Sequence, residues 1–350
     1  NQTFYMQFKT LLFAACITGI MYSCTKDEPN KNNTSNITIN HEDGTFIVNE
    51  GGFLQGNASI SYVSEIAGTV IHNVFSTING RPLGDVCQSM LVYGDKAYIV
   101  MNNSRKVEIV DATTFKSLAA IEGFTSPRFI VPVSNAKAYV TDLYANGIYV
   151  VDLNTNTITK KINCRGWTEE MIQIENELFV TNKQKDQLYI VNISTDEITD
   201  SISINYGANA IVRDKNGKLW LSCSGQPGSG NNASIVRIDP VQKQVEQHFT
   251  FSQSTDDPWR LSINKSGDTI YFLNKDCYRM SITSAALPTQ AVINAEGRNF
   301  YGLGIHPNGH IYLADAVDFV QKGRIYIYDA QGNQLKEFLG GMLPSGFNFR

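Results

Sequence analysis

Lys96-Ala97-Tyr98-Ile99-Val100 returns along the chain in thin disguise. It reads again as Lys137-Ala138-Tyr139-Val140, Glu177-Leu178-Phe179-Val180, Lys218-Leu219-Trp220-Leu221, Thr269-Ile270-Tyr271-Phe272 and His310-Ile311-Tyr312-Leu313. The aromatic falls at 98, 139, 179, 220, 271 and 312, at spacings of 41, 40, 41, 51 and 41. Each stretch is too short and too rich in β-branched and aromatic residues to be a helix, and each is bounded by Gly, Asn, Asp or Ser. A repeat of about 40 residues built from short strands is the size of a four-stranded propeller blade.

A second pattern runs in phase with the first. Val107-Glu108-Ile109-Val110-Asp111, Ile148-Tyr149-Val150-Val151-Asp152, Leu188-Tyr189-Ile190-Val191-Asn192, Ile235-Val236-Arg237-Ile238-Asp239 and Ile325-Tyr326-Ile327-Tyr328-Asp329 all end in Asp or Asn. Such a residue hydrogen-bonds backbone N–H groups two and three places on and turns the chain. Six units begin near 86, 127, 168, 208, 258 and 299. A seventh has three strands at 45–50, 59–65 and 69–75. It lacks an inner strand, which Pro344-Ser345-Gly346-Phe347-Asn348-Phe349 supplies. The expected fold is all-β: one seven-bladed β-propeller of four-stranded blades over 45–350, its ring closed by the C-terminal strand joining the N-terminal blade. Closure removes the open edges that invite aggregation. An array of β-sandwiches explains neither the period nor the orphan strand.

Composition fits one large core. Hydrophobic residues make up 42% of the 350 and charged residues 18%, which excludes disorder for most of the chain. With 29 Lys+Arg against 33 Asp+Glu the net charge is −4, so no basic face for nucleic acid is implied.

The N-terminal stretch reads as an export signal. Lys9 precedes an apolar run at 11–20 (LLFAACITGI), followed by Ser23-Cys24. The run is too short to span a bilayer, and Met6 is read as the initiator. Ser23-Cys24 resembles a bacterial lipobox. The expectation is a lipoprotein signal peptide at 1–23, lipidation at Cys24, and a flexible polar tether over 24–44. Lys26-Asp27-Glu28 resembles the surface-export signal of Bacteroidetes lipoproteins. It implies a lipid-anchored protein exposed on the outer membrane.

Inner strands of a propeller begin around one mouth of its channel. The aligned starts carry Ser89, Arg128, Glu169, Asn209, Trp259 and Tyr301, with Arg260 beside Trp259. Structural positions in repeats keep one residue type, whereas this one has six. That suits a ligand rim of aromatic anchors and polar groups; the alternative is a solvated position free to vary. Loops at 51–58, 225–233 and 316–322 are long and reach the same end. Phe53, Tyr144 and Phe319 are expected at loop tips there, where an aromatic points to binding.

No catalytic constellation is legible. The five His include His306 and His310, which flank a Pro-Asn-Gly hairpin signal rather than a metal site. Cys87, Cys164, Cys223 and Cys277 are scattered without a CxxC pair, so zinc is not expected and buried free thiols are. The sequence calls for no metal, no cofactor and no enzyme activity.

Three stretches carry a family resemblance: Phe46-Ile47-Val48-Asn49-Glu50-Gly51-Gly52-Phe53, Gly56-Asn57-Ala58-Ser59-Ile60-Ser61-Tyr62, and Gly302-Leu303-Gly304 with Ile325-Tyr326-Ile327-Tyr328-Asp329. With the blade pattern they make the chain resemble YncE-like propellers, and more narrowly the DUF5074 surface lipoproteins of Bacteroidetes. Among these it looks like the BtuG type, which capture cobalamin above a TonB-dependent, BtuB-like outer-membrane transporter. The resemblance implies a corrinoid or another scarce nutrient as ligand and such a transporter as partner. Two other classes stay open: a lactonase- or quinoprotein-like propeller enzyme, to whose metal Glu169 and Asn209 would contribute, and a surface module that binds another protein.

Overall fold

The computed structural model describes residues 44–64, 68–226 and 228–349. The signal peptide, Cys24 and nearly all of the tether expected above lie outside these residues. Seven antiparallel sheets follow one another in the described chain, six of four strands and one of three. Their inner strands are Pro344–Phe349 (blade 1), Cys87–Tyr93, Pro127–Pro132, Thr168–Ile174, Ala208–Arg213, Trp259–Ile263 and Phe300–Ile305 (blades 2 to 7).

The repeated aromatics are the core. Tyr98, Tyr139, Phe179, Trp220, Tyr271 and Tyr312 are all buried. They join β-branched neighbours in clusters that span adjacent blades, as where Tyr98, Ile109 and Val140 meet. Burying one aromatic removes ~150 Å² or more from water, worth roughly 4 kcal/mol in gross transfer free energy. The four cysteines in the described chain are free and buried.

The predicted turns form as read. The Oδ1 of Asp152 accepts from the N–H groups of Asn154 and Thr155 at 2.7 and 3.2 Å. Asn192 does the same for Ser194 and Thr195 at 2.9 and 3.1 Å.

Ring closure follows the sequence reading. Pro344–Phe349 pairs antiparallel with Gly44–Asn49, Ile47 facing Phe347 and Thr45 facing Phe349. Gly302 and Gly304 let this strand lie close to blade 7. A Cβ on Gly302 would come within 2.8 Å of the Ser345 backbone, and one on Gly304 within 2.8 Å of the Phe349 ring. Phe347 and Phe349 then pack edge-on against Tyr312 at 5.5 and 5.1 Å.

Two elements depart from the repeat. The strand expected over 69–75 stops at Ile71, and Val74–Asn79 forms a short helix. Asn73 takes φ 53°, which ends the extended run, and Gly80 terminates the helix at φ 65°. Asn79 ties the helix to blade 2, donating to the Phe115 carbonyl at 3.0 Å and accepting from the Ser117 N–H at 2.8 Å. Blade 6 has three strands. Beyond Asp276–Ser281 the chain carries Pro288, which has no N–H for a ladder. One bridge, between Cys277 and Ile293, touches the third strand there.

Candidate functional site

The register of the inner strands breaks at their starts in blades 2 to 7. The irregularities fall between Cys87 and Ser89, Pro127 and Ile130, Thr168 and Met171, Ala208 and Ala210, Trp259 and Ser262, and Phe300 and Gly302. A β-bulge leaves an extra residue unpaired and re-aims its side chain. The residues inside the bulges include Gln88, Arg128, Glu169, Glu170, Asn209, Arg260 and Tyr301. All line one cavity of about 270 Å³ at the mouth, together with Glu50, Trp167, Lys183 and Trp259.

These side chains also stitch the ring. Arg128 in blade 3 grips Glu169 in blade 4 through Nη2 at 2.8 Å and Nε at 3.1 and 3.2 Å, and donates from Nη1 to Gln88 in blade 2. Glu170 accepts from the Ile211 N–H in blade 5 at 3.0 Å. Asn209 donates to the Pro258 carbonyl in blade 6 at 3.0 Å. Arg260 donates from Nε to the Tyr301 carbonyl in blade 7 at 3.1 Å, and the Tyr301 hydroxyl donates to Glu50 in blade 1 at 3.1 Å. Asn348 completes the circuit by donating to the Met90 carbonyl in blade 2 at 2.7 Å. All seven seams are therefore bridged by a side-chain hydrogen bond near the axis.

The electrostatics follow from this crowding. Three carboxylates and three cations meet around one small cavity. Burial pushes the Glu50 carboxyl up, against the pull of Arg260 and Arg128. Burial likewise raises Glu170 to about 7, opposed by the Ile211 N–H and Arg260. The Tyr301 hydroxyl is pushed up to about 12, chiefly by burial and then by Glu50. Trp167 has the guanidinium of Arg128 at 5.1 Å and the ammonium of Lys183 at 4.9 Å from its ring centroid. An aromatic wall runs outward, with Trp259 edge-on to Tyr301 at 5.1 Å and Tyr301 edge-on to Phe319 at 5.7 Å.

The expected rim residues fare differently. Arg128, Glu169, Asn209, Trp259, Arg260 and Tyr301 converge on the cavity. Asn209 spends its amide on its neighbours, donating also to Ser224 at 3.0 Å and accepting from Ser222 at 2.6 Å. Phe53 and Tyr144 stand in solvent, 67% and 70% exposed, away from the cavity lining. Phe319 is half exposed and lines a neighbouring depression. In blade 2 the alignment is off by one: Gln88 faces the cavity, whereas Ser89 donates to the Arg128 carbonyl at 2.7 Å. Sequence reasoning missed Glu50, Trp167, Glu170 and Lys183. Only the doubled Glu169-Glu170 gave a sign, since a two-residue bulge puts both near the mouth. At the far end His306 stacks on Tyr312 at 5.9 Å and lies edge-on to Phe349 at 5.1 Å. Among the described residues no group of three or more His, Cys, Asp or Glu could hold a metal ion.

Comparison with known proteins agrees with the fold. The family described as "Domain of unknown function (DUF5074)" matches residues 43–347. Searching curated proteins returned no match. A quinonprotein alcohol dehydrogenase-like protein from Bacteroides thetaiotaomicron superposes with a TM-score of 0.71 at 16% identity, over 89% of this chain and 79% of that one. A protein from Lactobacillus plantarum gives 0.67 at 13% identity, over 88% and 99%. The hydrazine synthase of Kuenenia stuttgartiensis gives 0.57 at 15% identity, over 72% and 86%. At these identities the likeness is one of fold.

Proposed function

The chain belongs to the DUF5074 family, and on that premise we propose that it is a binding protein anchored at the cell surface through Cys24. It captures a corrinoid or a similar scarce nutrient at the propeller mouth and passes it to a TonB-dependent outer-membrane transporter. The observation that carries this reading is the convergence of bulge residues from six inner strands on one cavity flanked by Trp259, Tyr301 and Phe319. A corrinoid is far larger than about 270 Å³. It would lie across the mouth, its apolar plane on the aromatic wall and its amide fringe over Arg260, Lys183 and Glu170. Those polar groups keep bonding capacity to spare, unlike Asn209. The reading assigns no covalent chemistry to the mouth.

Calorimetry with cobalamin tests it. Binding is expected well below micromolar Kd, and Trp259→Ala should weaken it by more than about 1 kcal/mol. His248→Ala, on an exposed outer strand, should leave it unchanged. Absence of heat with any corrinoid would remove the ligand assignment. Binding that survives Arg128→Ala, Trp259→Ala and Tyr301→Ala together would move the site off the mouth.

A further inference from the structure

A second depression, of about 290 Å³, adjoins the mouth over the seam between blades 6 and 7. Trp259 lines both. Its other walls include Asp257, Lys275, Arg298, Asn299 and Phe319. We propose that this depression is a subsite for an anionic appendage, a phosphate ester or carboxylate, on the ligand whose body covers the mouth. The proposal rests on the reading above for that body and on the depression's own chemistry for the appendage.

Charge comes first. Among the described residues Lys275 has no carboxylate within ion-pair distance. Arg298 lies over the Tyr326 ring at 4.7 Å and donates to the Tyr328 hydroxyl at 3.4 Å, contacts that leave its charge uncompensated. Its one ion-pair contact is Glu296 at 3.8 Å, whose side chain is 71% exposed, a contact that water weakens. Against these two cations the lining offers a single carboxylate, Asp257. The amides are committed elsewhere: Asn274 donates to Asp256 at 2.8 Å and Asn299 to the Val317 carbonyl at 2.6 Å. An arriving anion would therefore meet Lys275 and Arg298.

The backbone shapes these walls. Phe319 holds φ 65° and Val317, tied down by Asn299, φ 56°, while Lys275 at φ 62° takes the hairpin conformation that Arg105 and Asn146 take in blades 2 and 3. Arg298 arrives on the irregular return of blade 6, the segment that stands where other blades have a fourth strand. The departure from the repeat thus delivers the cation.

The probe is inorganic pyrophosphate, titrated into the folded chain and followed by phosphorus NMR and by thermal shift. Saturable binding is expected. Lys275→Ala and Arg298→Ala should each weaken it about two- to fivefold, Arg298→Lys should restore part of it, and Asp257→Asn should tighten it. His248→Ala, on an exposed outer strand, should leave pyrophosphate binding in place. No saturable binding, or binding indifferent to loss of both cations, overturns the subsite. A second arm compares cobalamin, which carries a phosphodiester, with cobinamide, which lacks it. The subsite predicts a preference for cobalamin that the double cation variant erases. Equal binding of both with no effect of the cations overturns the subsite while the mouth reading stands. Pyrophosphate binding without corrinoid binding overturns the corrinoid reading while the subsite stands.

Discussion

At the outer turns one solution is used again and again. Asp111, Asp152, Asn192, Asp239 and Asp329 each accept backbone N–H groups just ahead of them in the chain. At the inner-strand starts Gln88, Arg128, Glu169, Asn209, Arg260 and Tyr301 differ from blade to blade, although the bulge that presents them recurs. The turn is a contract within one blade, so one residue type serves everywhere. The mouth residues must satisfy an unlike neighbour and face a common axis, so each is chosen against the next. Diversity there reflects seam-making as well as any ligand, and the two roles separate residue by residue. Asn209 is spent on the seam, while Arg260 and Lys183 keep donors for a guest.

The contrast breaks hardest where the ring closes. Removing residues 344–350 would take away the burial of Phe347 and Phe349 and open an edge on blade 1. Losing two partly buried aromatics and the strand ladder costs about 3–6 kcal/mol, so melting should fall by about 5–10 °C or give way to aggregation. A truncated chain that melts like the parent would refute closure by this strand.

Arg128→Ala comes next. It leaves Glu169 buried without its partner, and stability should drop by about 2–4 kcal/mol in denaturant titration. Adding Glu169→Gln should recover part of the loss, a non-additivity that marks a seam pair. Additive losses would mean the pair contributes nothing as a unit.

Glu170→Gln sharpens the comparison through pH. The folded chain holds the Glu170 proton more tightly than the unfolded chain, with a pKa of about 7 against 4.5. The associated stability is complete below about pH 4.5 and is lost as pH rises through about 7. The partial exposure of the side chain discounts the effect, leaving it on the order of 1–3 kcal/mol. The variant should therefore melt higher than the parent at pH 8 and no higher at pH 4. Parallel pH profiles would exclude the assignment.

Asp152→Ala is the mild case. Two hydrogen bonds in an exposed turn are lost, for about 0.5–1.5 kcal/mol, and Asp111→Ala, which also loses the bond from the Thr114 hydroxyl, should cost at least as much. A smaller cost at Asp111 than at Asp152 would show that the turn bonds do not set the stability of the outer turns.

The strand repeat, the buried aromatics, the turns and the closing strand were legible in the sequence because each depends on local pattern or on plain arithmetic of period. The mouth was legible only in part. A bulge adds a residue without changing the pattern around it, so Ser89 was aligned where Gln88 belongs. Trp259 was aligned ahead of Arg260 for the same reason. Glu50, Trp167 and Lys183 sit on loops and strand ends that the repeat does not number. The strand expected over 69–75 overruns into the helix at Val74 and Phe75, because Thr69, Val70, Ile71 and Val74 all favour strands and only the backbone turn at Asn73 decides otherwise.

The pairing of Thr45 with Phe349 joins points about 300 residues apart along the chain. Loop entropy makes such a contact slow to find, whatever its final strength. Blades 2 to 7 each draw their strands from one continuous stretch, so they can assemble while blade 1 waits. Until then Gly44–Asn49 and the glycine-lined flank of blade 7 remain bare. The vulnerable moment in the life of this protein is thus a kinetic one, and a chaperone or a crowded compartment would act on that half-closed ring more than on the finished propeller.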